Sequence, residues 1–578
     1  MSTLKTRPCA WALAVAIALG VSACSTTGPL HPAAATRSGL RAGAPAPATP
    51  IRHLVVLFDE NVSFDHYFAT YPSATNPPGE PAFHAAPDTP RVNGLRGLWL
   101  DHNPNLNPAN GAGASNPFRL DRTQAATADQ NHGYTAEQQA YDGGRADLFP
   151  LHTGTATRGG VGAFGTKGQV MGYFDGNTVT ALWNYAQHFA LSDNAYTDTY
   201  GPSTPGALEV VSGQTNGVRL VHSTHQPFTL QANSYYLDNS DGSKTLISDV
   251  DPAYDLCSNP KDQVMMEGRN IGDLLDAQRI SWGGFMGGFD LQRRNANGTT
   301  GCARSTPSAV VGATILDYIP HHNWFQYFAS TANPTHARPA SVAAIGHSYV
   351  PGTTTRDPAN HEYGLNDFFA AVEQGNFPAV SFLKAPAYQD AHAGYSDPLD
   401  EQAFVTKVVN FLEQQPQWKD TAVIVTYDDS DGWYDHAFAT PTNPSYDPQA
   451  DQLDGGGVCG NGTPRPGLSG HPVNGRCGPG TRIPLLVISP WARPDHVGHT
   501  RVSLASVVRF IEDNWLHGQR LGAGSFDASA GSLMDLFRFP AREARASSAT
   551  PDSRLFLDPR TGTVLRRAPA GSRSPTSS

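Results

Sequence analysis

Charge is scarce in this 578-residue chain: only 16% of residues are Asp, Glu, Lys or Arg, and the formal net charge is −11. No basic run of useful length occurs, which argues against a nucleic-acid partner, because that affinity comes from neutralising phosphates with Lys and Arg. Long apolar runs are missing too. The stretch Ala10–Val21 is too short to cross ~30 Å of hydrocarbon as a helix. The six cysteines include no C-x-x-C pair, so nothing supports a zinc ribbon. No internal repeat is visible, which sets aside solenoids and propellers. Gly (57) and Pro (46) are plentiful and point to many long loops. The length suffices for one large α/β domain or two smaller ones.

The N-terminus reads as an export signal. Lys5 and Arg7 precede Ala10–Val21, and small residues follow, the layout of a secretory leader over 1–23. Val21-Ser22-Ala23-Cys24 looks like a bacterial lipobox, which would make Cys24 a lipidated first residue and the membrane a partner through that lipid. The alternative is ordinary cleavage nearby, with Cys24 incidental. Residues 24–50, rich in Ala, Pro, Gly and Thr, read as a flexible tether, and 566–578 as a disordered tail. Export fits the cysteines: Cys257, Cys302, Cys459 and Cys477 suggest two disulfides of three possible pairings. Proximity favours Cys257–Cys302 and Cys459–Cys477.

The chain is organised around Ile51–Phe68. Leu54–Phe58 is an apolar, branched and aromatic strand that stops on Asp59, Glu60 and Asn61. Alone, such an ending is a polar turn closing a core strand. A second strand, Thr421–Tyr427, stops on Asp428 and Asp429 in the same way. Ligands of open α/β sheets lie beyond the carboxyl ends of strands, so the two endings could place oxygen ligands around one hard divalent cation. Helical spacing recurs at 178–189, 365–372, 400–412 and 504–515, the last with Ser503 as its expected cap. Further strands are expected at 280–286, 379–383 and 483–488, and a hairpin at 554–565. Alternating strands and helices with large insertions place the chain in the α/β class.

Several blocks resemble a bacterial phosphoesterase family that holds acid phosphatases and the haemolytic and non-haemolytic phospholipases C. They are ENVSFDHYF from Glu60, D-Q-N-H ending at His132, G-P-S-T-P-G-A from Gly201, H-H-N-W-F-Q-Y from His321, Y-Q-D-A-H-A-G-Y-S-D-P around His392, and Y-D-D-S-D-G-W-Y-D-H from Tyr427. The resemblance covers most of 51–565, the expected catalytic domain, and implies an alkaline-phosphatase-like central β-sheet flanked by helices. It puts the nucleophile at Ser203, a residue whose default reading is a helix N-cap. The same position at the positive end of a helix favours an anion. The surrounding G-P-S-T-P is not the G-x-S-x-G elbow of serine lipases.

The resulting expectation is a site with one divalent metal ion on Glu60, Asn61, Ser203, Asp428 and Asp429. Ser203 would attack phosphorus, while His132, His322 and His392 stabilise phosphoryl charge and protonate the leaving group. Charged imidazoles would give an acidic optimum. His321, Asp431 and His436 are reserve positions. Of adjacent His321 and His322, at most one should face the substrate. The activity implied is that of an exported acid phosphatase acting on phosphomonoesters through a phosphoserine, periplasmic or attached to the outer membrane. That choice rests on Ser rather than Thr at the nucleophile position and on polar insertions such as NPNLNPANGAGASNP. The alternatives are a phospholipase C cleaving phosphatidylcholine-type diesters and a non-catalytic surface lipoprotein.

Overall fold

The computed structural model describes residues 45–224, 234–540 and 553–569. The expected leader, Cys24, most of the tether and residues 570–578 lie outside the described residues. The sheet is made of His53–Asp59 (β1), Ala190–Ser192 (β2), Trp282–Met286 (β3), Glu362–Gly364 (β4), Val380–Lys384 (β5), Thr421–Tyr427 (β6), Leu485–Ile488 (β7) and His496–Gly498 (β8). Their order across the sheet is β4-β3-β5-β1-β6-β7-β2-β8. All run parallel except β7, which is antiparallel to both neighbours.

Every residue of β1, β5 and β6 is buried, which is why these strands read as continuous apolar runs rather than alternating ones. Leu54 to Phe58 are each fully buried, and burial of such a side chain is worth about 1.5–3 kcal/mol. β1 and β6 are in step from His53 opposite Thr421 to Asp59 opposite Tyr427. Glu60-Asn61 and Asp428-Asp429 therefore leave the sheet side by side.

The helices that matter here are Phe64–Phe68 (α1), Tyr134–Tyr141 (α2), Thr180–His188 (α3), Ser203–Ser212 (α4), Ile271–Ala277 (α5), Leu365–Glu373 (α6), Pro398–Glu413 (α7) and Ala505–Trp515 (α8). α7 starts two residues before the expected 400: the Asp397 carboxylate accepts from the backbone of Leu399 and Asp400, with Pro398 in the first turn. α8 lacks its expected cap. Ser503 lies in a two-residue strand paired with Tyr196, and the buried Asp198 carboxylate accepts from Ala505 N at 2.8 Å instead.

Both expected disulfides are present, with Cα–Cα distances of 5.4 Å for Cys257–Cys302 and 5.9 Å for Cys459–Cys477. The late hairpin closes through a bridge between Leu557 and Val564. At the other end, Ala48 and Thr49 already donate to the backbone and side chain of Asn514 on α8, so the packed chain begins slightly before Ile51. Among the described residues no helix is long and apolar enough to cross a membrane.

Candidate active site

The carboxyl ends of β1, β5 and β6 converge on one pocket, and the backbone around it is unusual. Asn61, Ala391 and Asp431 all adopt positive φ (58°, 82° and 55°). Such conformations are uncommon outside glycine and cluster at functional sites. The acid loops brace one another: Asp428 Oδ1 accepts from Asn61 N at 2.9 Å and from Asp429 N at 2.8 Å. Glu60 N donates to the Asp390 carbonyl at 2.7 Å.

α4 brings Ser203 to this point. Its hydroxyl makes no capping bond. Ser203 Oγ lies 3.2 Å from Asn61 Oδ1 and 3.3 Å from Asp429 Oδ2. A Cβ at Gly206 would fall 2.2 Å from the Asp428 carbonyl oxygen, so α4 reaches the end of β6 only because residue 206 is glycine. Glu137 on α2 ties the parts together, accepting from Ser430 Oγ, from Thr481 Oγ1 at 3.2 Å and from Gly201 N at 3.1 Å. Burial raises its carboxyl to about 7.

Asn61 sits among the acids. Its side-chain amide lies 2.9 Å from Glu60 Oε2, 3.1 and 3.3 Å from the Asp428 carboxylate and 3.2 Å from Ser203 Oγ; turned to donate to the carboxylates, it accepts from His392 Nε2 at 2.9 Å. The chemistry of the donor set is the test of whether this site fits a metal. A donor set made only of carboxylate, amide and hydroxyl oxygens suits a hard divalent ion. Glu60, Asn61, Ser203, Asp428 and Asp429 are thus brought together as expected.

The histidines ring the same point. His132 and His392 turn Nδ1 to backbone carbonyls, Gln130 at 2.9 Å and Ala393 at 2.6 Å. Both Nε2 atoms face the Asn61 amide, at 3.4 Å from His132 and 2.9 Å from His392, with the two rings 5.8 Å apart. His322 stacks on His392 at 6.5 Å and places Nδ1 3.3 Å from Glu60 Oε1. His321 turns away, with Nδ1 3.5 Å from Asp251. Of the other reserve positions, Asp431 pairs with His132 at 3.2 Å, whereas His436 belongs to a separate cluster with Asp65.

The expectation of charged imidazoles needs correction. Burial lowers His392 to about 4, with His132 adding repulsion. Burial, then His321, His392 and His132, push His322 well below its usual value. His132 is different: burial opposes its charge, but Asp429, Asp431 and Asp129 outweigh that and hold it well above the ordinary range. One imidazole of the three carries charge at mildly acidic pH.

Lys384, Asp390 and Glu137 were missed by sequence reasoning. Lys384 ends β5 and ion-pairs with Glu60. A lone charge closing an apolar strand was the very signal used on β1 and β6, so it could have been found. Glu137 sits inside an ordinary helix and gives no such signal.

Residues 51–516 match the family model described as the Phosphoesterase family. The chain belongs to that family. It is 25% identical over 460 residues to Phospholipase C A of Mycobacterium tuberculosis (strain CDC 1551 / Oshkosh), covering 78% of this chain and 70% of that protein. Phospholipase C B of the same strain is 23% identical over 510 residues, 86% and 79% of the two chains. The Non-hemolytic phospholipase C of Pseudomonas aeruginosa is 24% identical over 477 residues, 80% of this chain and 54% of the relative. Each of these relatives is named a phospholipase C, and none an acid phosphatase.

Proposed function

We propose that this phosphoesterase is an exported, metal-dependent hydrolase that cleaves phosphodiesters in the manner of a phospholipase C. The observation that carries the reading is the convergence of Ser203 Oγ with the side-chain oxygens of Asn61, Glu60, Asp428 and Asp429. Those five residues would hold one divalent cation, which lowers the pKa of a coordinated hydroxyl and offsets phosphoryl charge.

Ser203 Oγ gives its proton to Asp429 Oδ2, 3.3 Å away, and bonds to phosphorus as the bond to the leaving oxygen breaks, giving a phosphoserine ester; the proton returns to Ser203 Oγ when that ester is hydrolysed. Protonated His132 hands its proton to the leaving oxygen. Neutral His392 takes a proton from the water that then hydrolyses the ester, and His322 steadies Glu60. The relatives' names, matched over 70% and 79% of the two mycobacterial chains, support a diester substrate. A second reading, acid phosphatase, is supported by serine at the nucleophile position and by the polar insertions. The non-catalytic reading leaves the converged oxygens without a role. Export, with a lipid on Cys24, belongs to the same proposal, and mass spectrometry of the mature N-terminus tests it.

The deciding experiment compares kcat/KM on p-nitrophenylphosphorylcholine and p-nitrophenyl phosphate, with and without chelator. Preference for the choline diester, lost on chelation and in Ser203→Ala, is the expected result. Preference for the monoester restores the phosphatase reading. Full activity of Ser203→Ala removes the nucleophile assignment.

A further inference from the structure

A second cavity opens on the same edge of the sheet, beyond the carboxyl ends of β3 and β4. It has a volume of about 130 Å³ and is walled by Met286–Gly288, Gly364–Asn366, Pro386, Tyr388 and Gln389. A water molecule's share of the liquid is about 30 Å³, so the cavity has room for more than one.

Its charge is opposite to that of the active site. Arg293, Arg304 and Lys407 line it, together with two carboxylates, Asp290 and Asp317. Both carboxylates are already engaged. Asp317 accepts from Arg304 Nε at 3.0 Å, Asn295 Nδ2 at 2.8 Å and Thr306 Oγ1 at 2.6 Å. Asp290 accepts from Arg338 Nη1 at 2.8 Å. Arg304 is buried, and its Nη1 donates to the Asp290 carbonyl at 2.7 Å. Among the described residues Arg293 and Lys407 have no carboxylate partner, and the Asn366 amide makes no hydrogen bond. α6 starts at this cavity with Gly364 as its cap and Asp367 in its first turn, and that carboxylate is matched by Arg338, whose Nη1 and Nη2 donate to it at 2.8 and 2.6 Å.

We propose that this cavity binds a small tetrahedral oxyanion of the phosphate class, either free phosphate or the phosphate end of a phosphorylated alcohol. Guanidinium forks match such an anion in shape as well as charge. The walls give binding a route to the catalytic centre. Pro386, Tyr388 and Gln389 lie on the segment between Lys384, which holds Glu60, and His392.

Calorimetric titration tests the proposal. Inorganic phosphate and glycerol 3-phosphate are each titrated into the full chain in excess chelator, a condition that removes metal-dependent binding at Ser203. One site is expected in the wild type, with affinity at least tenfold weaker in Arg293→Ala/Lys407→Ala. Neither substitution removes an ion pair, so the melting temperature should hold. The tighter of the two anions identifies the source. Equal binding by the double variant, or no binding by the wild type, overturns the assignment. Both results are independent of whether the chain hydrolyses any ester.

Discussion

Two acid clusters are built from the same two segments of chain, and they differ in how their charge is matched within the protein. The first uses Glu60, Asn61, Asp428 and Asp429. The second lies a few residues on, with Asp65, Asp435 and His436. In the second, Arg482 is threaded between the acids, 3.0 Å from Asp65 Oδ1 and 3.1 Å from Asp435 Oδ1. Its Nη1 donates to the carbonyls of Asn93 and Asp193 at 2.8 and 2.9 Å, and the guanidinium lies over the Phe64 ring. His436 Nδ1 closes on Asp65 at 2.6 Å. That cluster is complete within the protein. In the first, Lys384 reaches Glu60 and His132 pairs with Asp431, while among the described residues no ion pair reaches Asp428 or Asp429. Acid density alone does not separate the two clusters; the placing of positive charge within them does.

The sharpest break in this comparison is a single carboxylate. Loss of an outer partner of a metal ligand typically costs 10–100-fold, so Asp429→Asn should lower kcat/KM by more than about a hundredfold and reduce metal content by elemental analysis. Asp435→Asn should leave metal content unchanged. If both variants lose metal equally, the clusters are not distinct.

Arg482→Met comes next and should act on stability alone. Removing one partner of a buried ion pair leaves unpaired charge and costs about 3–5 kcal/mol, readable in denaturant unfolding. Retained metal content is expected, and loss of metal without loss of stability would contradict the division.

Lys384→Met probes the first cluster's own cation. It should destabilise the chelated protein yet tighten metal affinity about tenfold, because a positive charge beside the ion is gone. Weaker affinity would mean that Lys384 acts chiefly by orienting Glu60.

The smallest effect is on the pH dependence of stability. Burial, then like-charged neighbours, hold Asp429 and Asp59 well above the carboxylate range. Asp390 and Asp431 are raised too, by burial first. A raised folded pKa gives stability that is fully present below the unfolded pKa and lost as pH rises through the folded one. Asp65 runs the other way. Burial opposes its charge, but His436 and Arg482 outweigh it and lower the pKa, so its contribution is lost as pH falls. The melting temperature of chelated protein should therefore decline as pH rises above the ordinary carboxylate pKa of about 4, and metal should flatten that decline. Parallel curves with and without metal would sink the prediction.

Much of this was readable from residue order, for identifiable reasons. β1 and β6 are buried on both faces, so they appear as unbroken apolar runs with abrupt acidic ends. α7 shows as a repeating apolar face over 400–412, and the disulfides join neighbouring cysteines. Other parts were not readable. β2 and β4 are three residues each, too short for any period to show. Arg482 looks like an isolated base beside β7, and only the fold sets it between two acids. Ser503 looks like a cap because nothing local reveals that Asp198, some three hundred residues earlier, takes that place. The charge states of His322 and His392 are set first by burial, which residue order does not show for either of them.

Gly206 carries a consequence for how this enzyme can vary. Backbone meets backbone there, with no side chain between the serine helix and the acid strand. The residue acts as a shim of zero thickness that sets the reach of Ser203 toward Asp429. Widening it through alanine, serine and valine would move the helix outward in small steps, and turnover should grade with added volume rather than with polarity. A position that touches no substrate would then score as essential in any activity screen, while the chemistry it governs sits untouched on other residues.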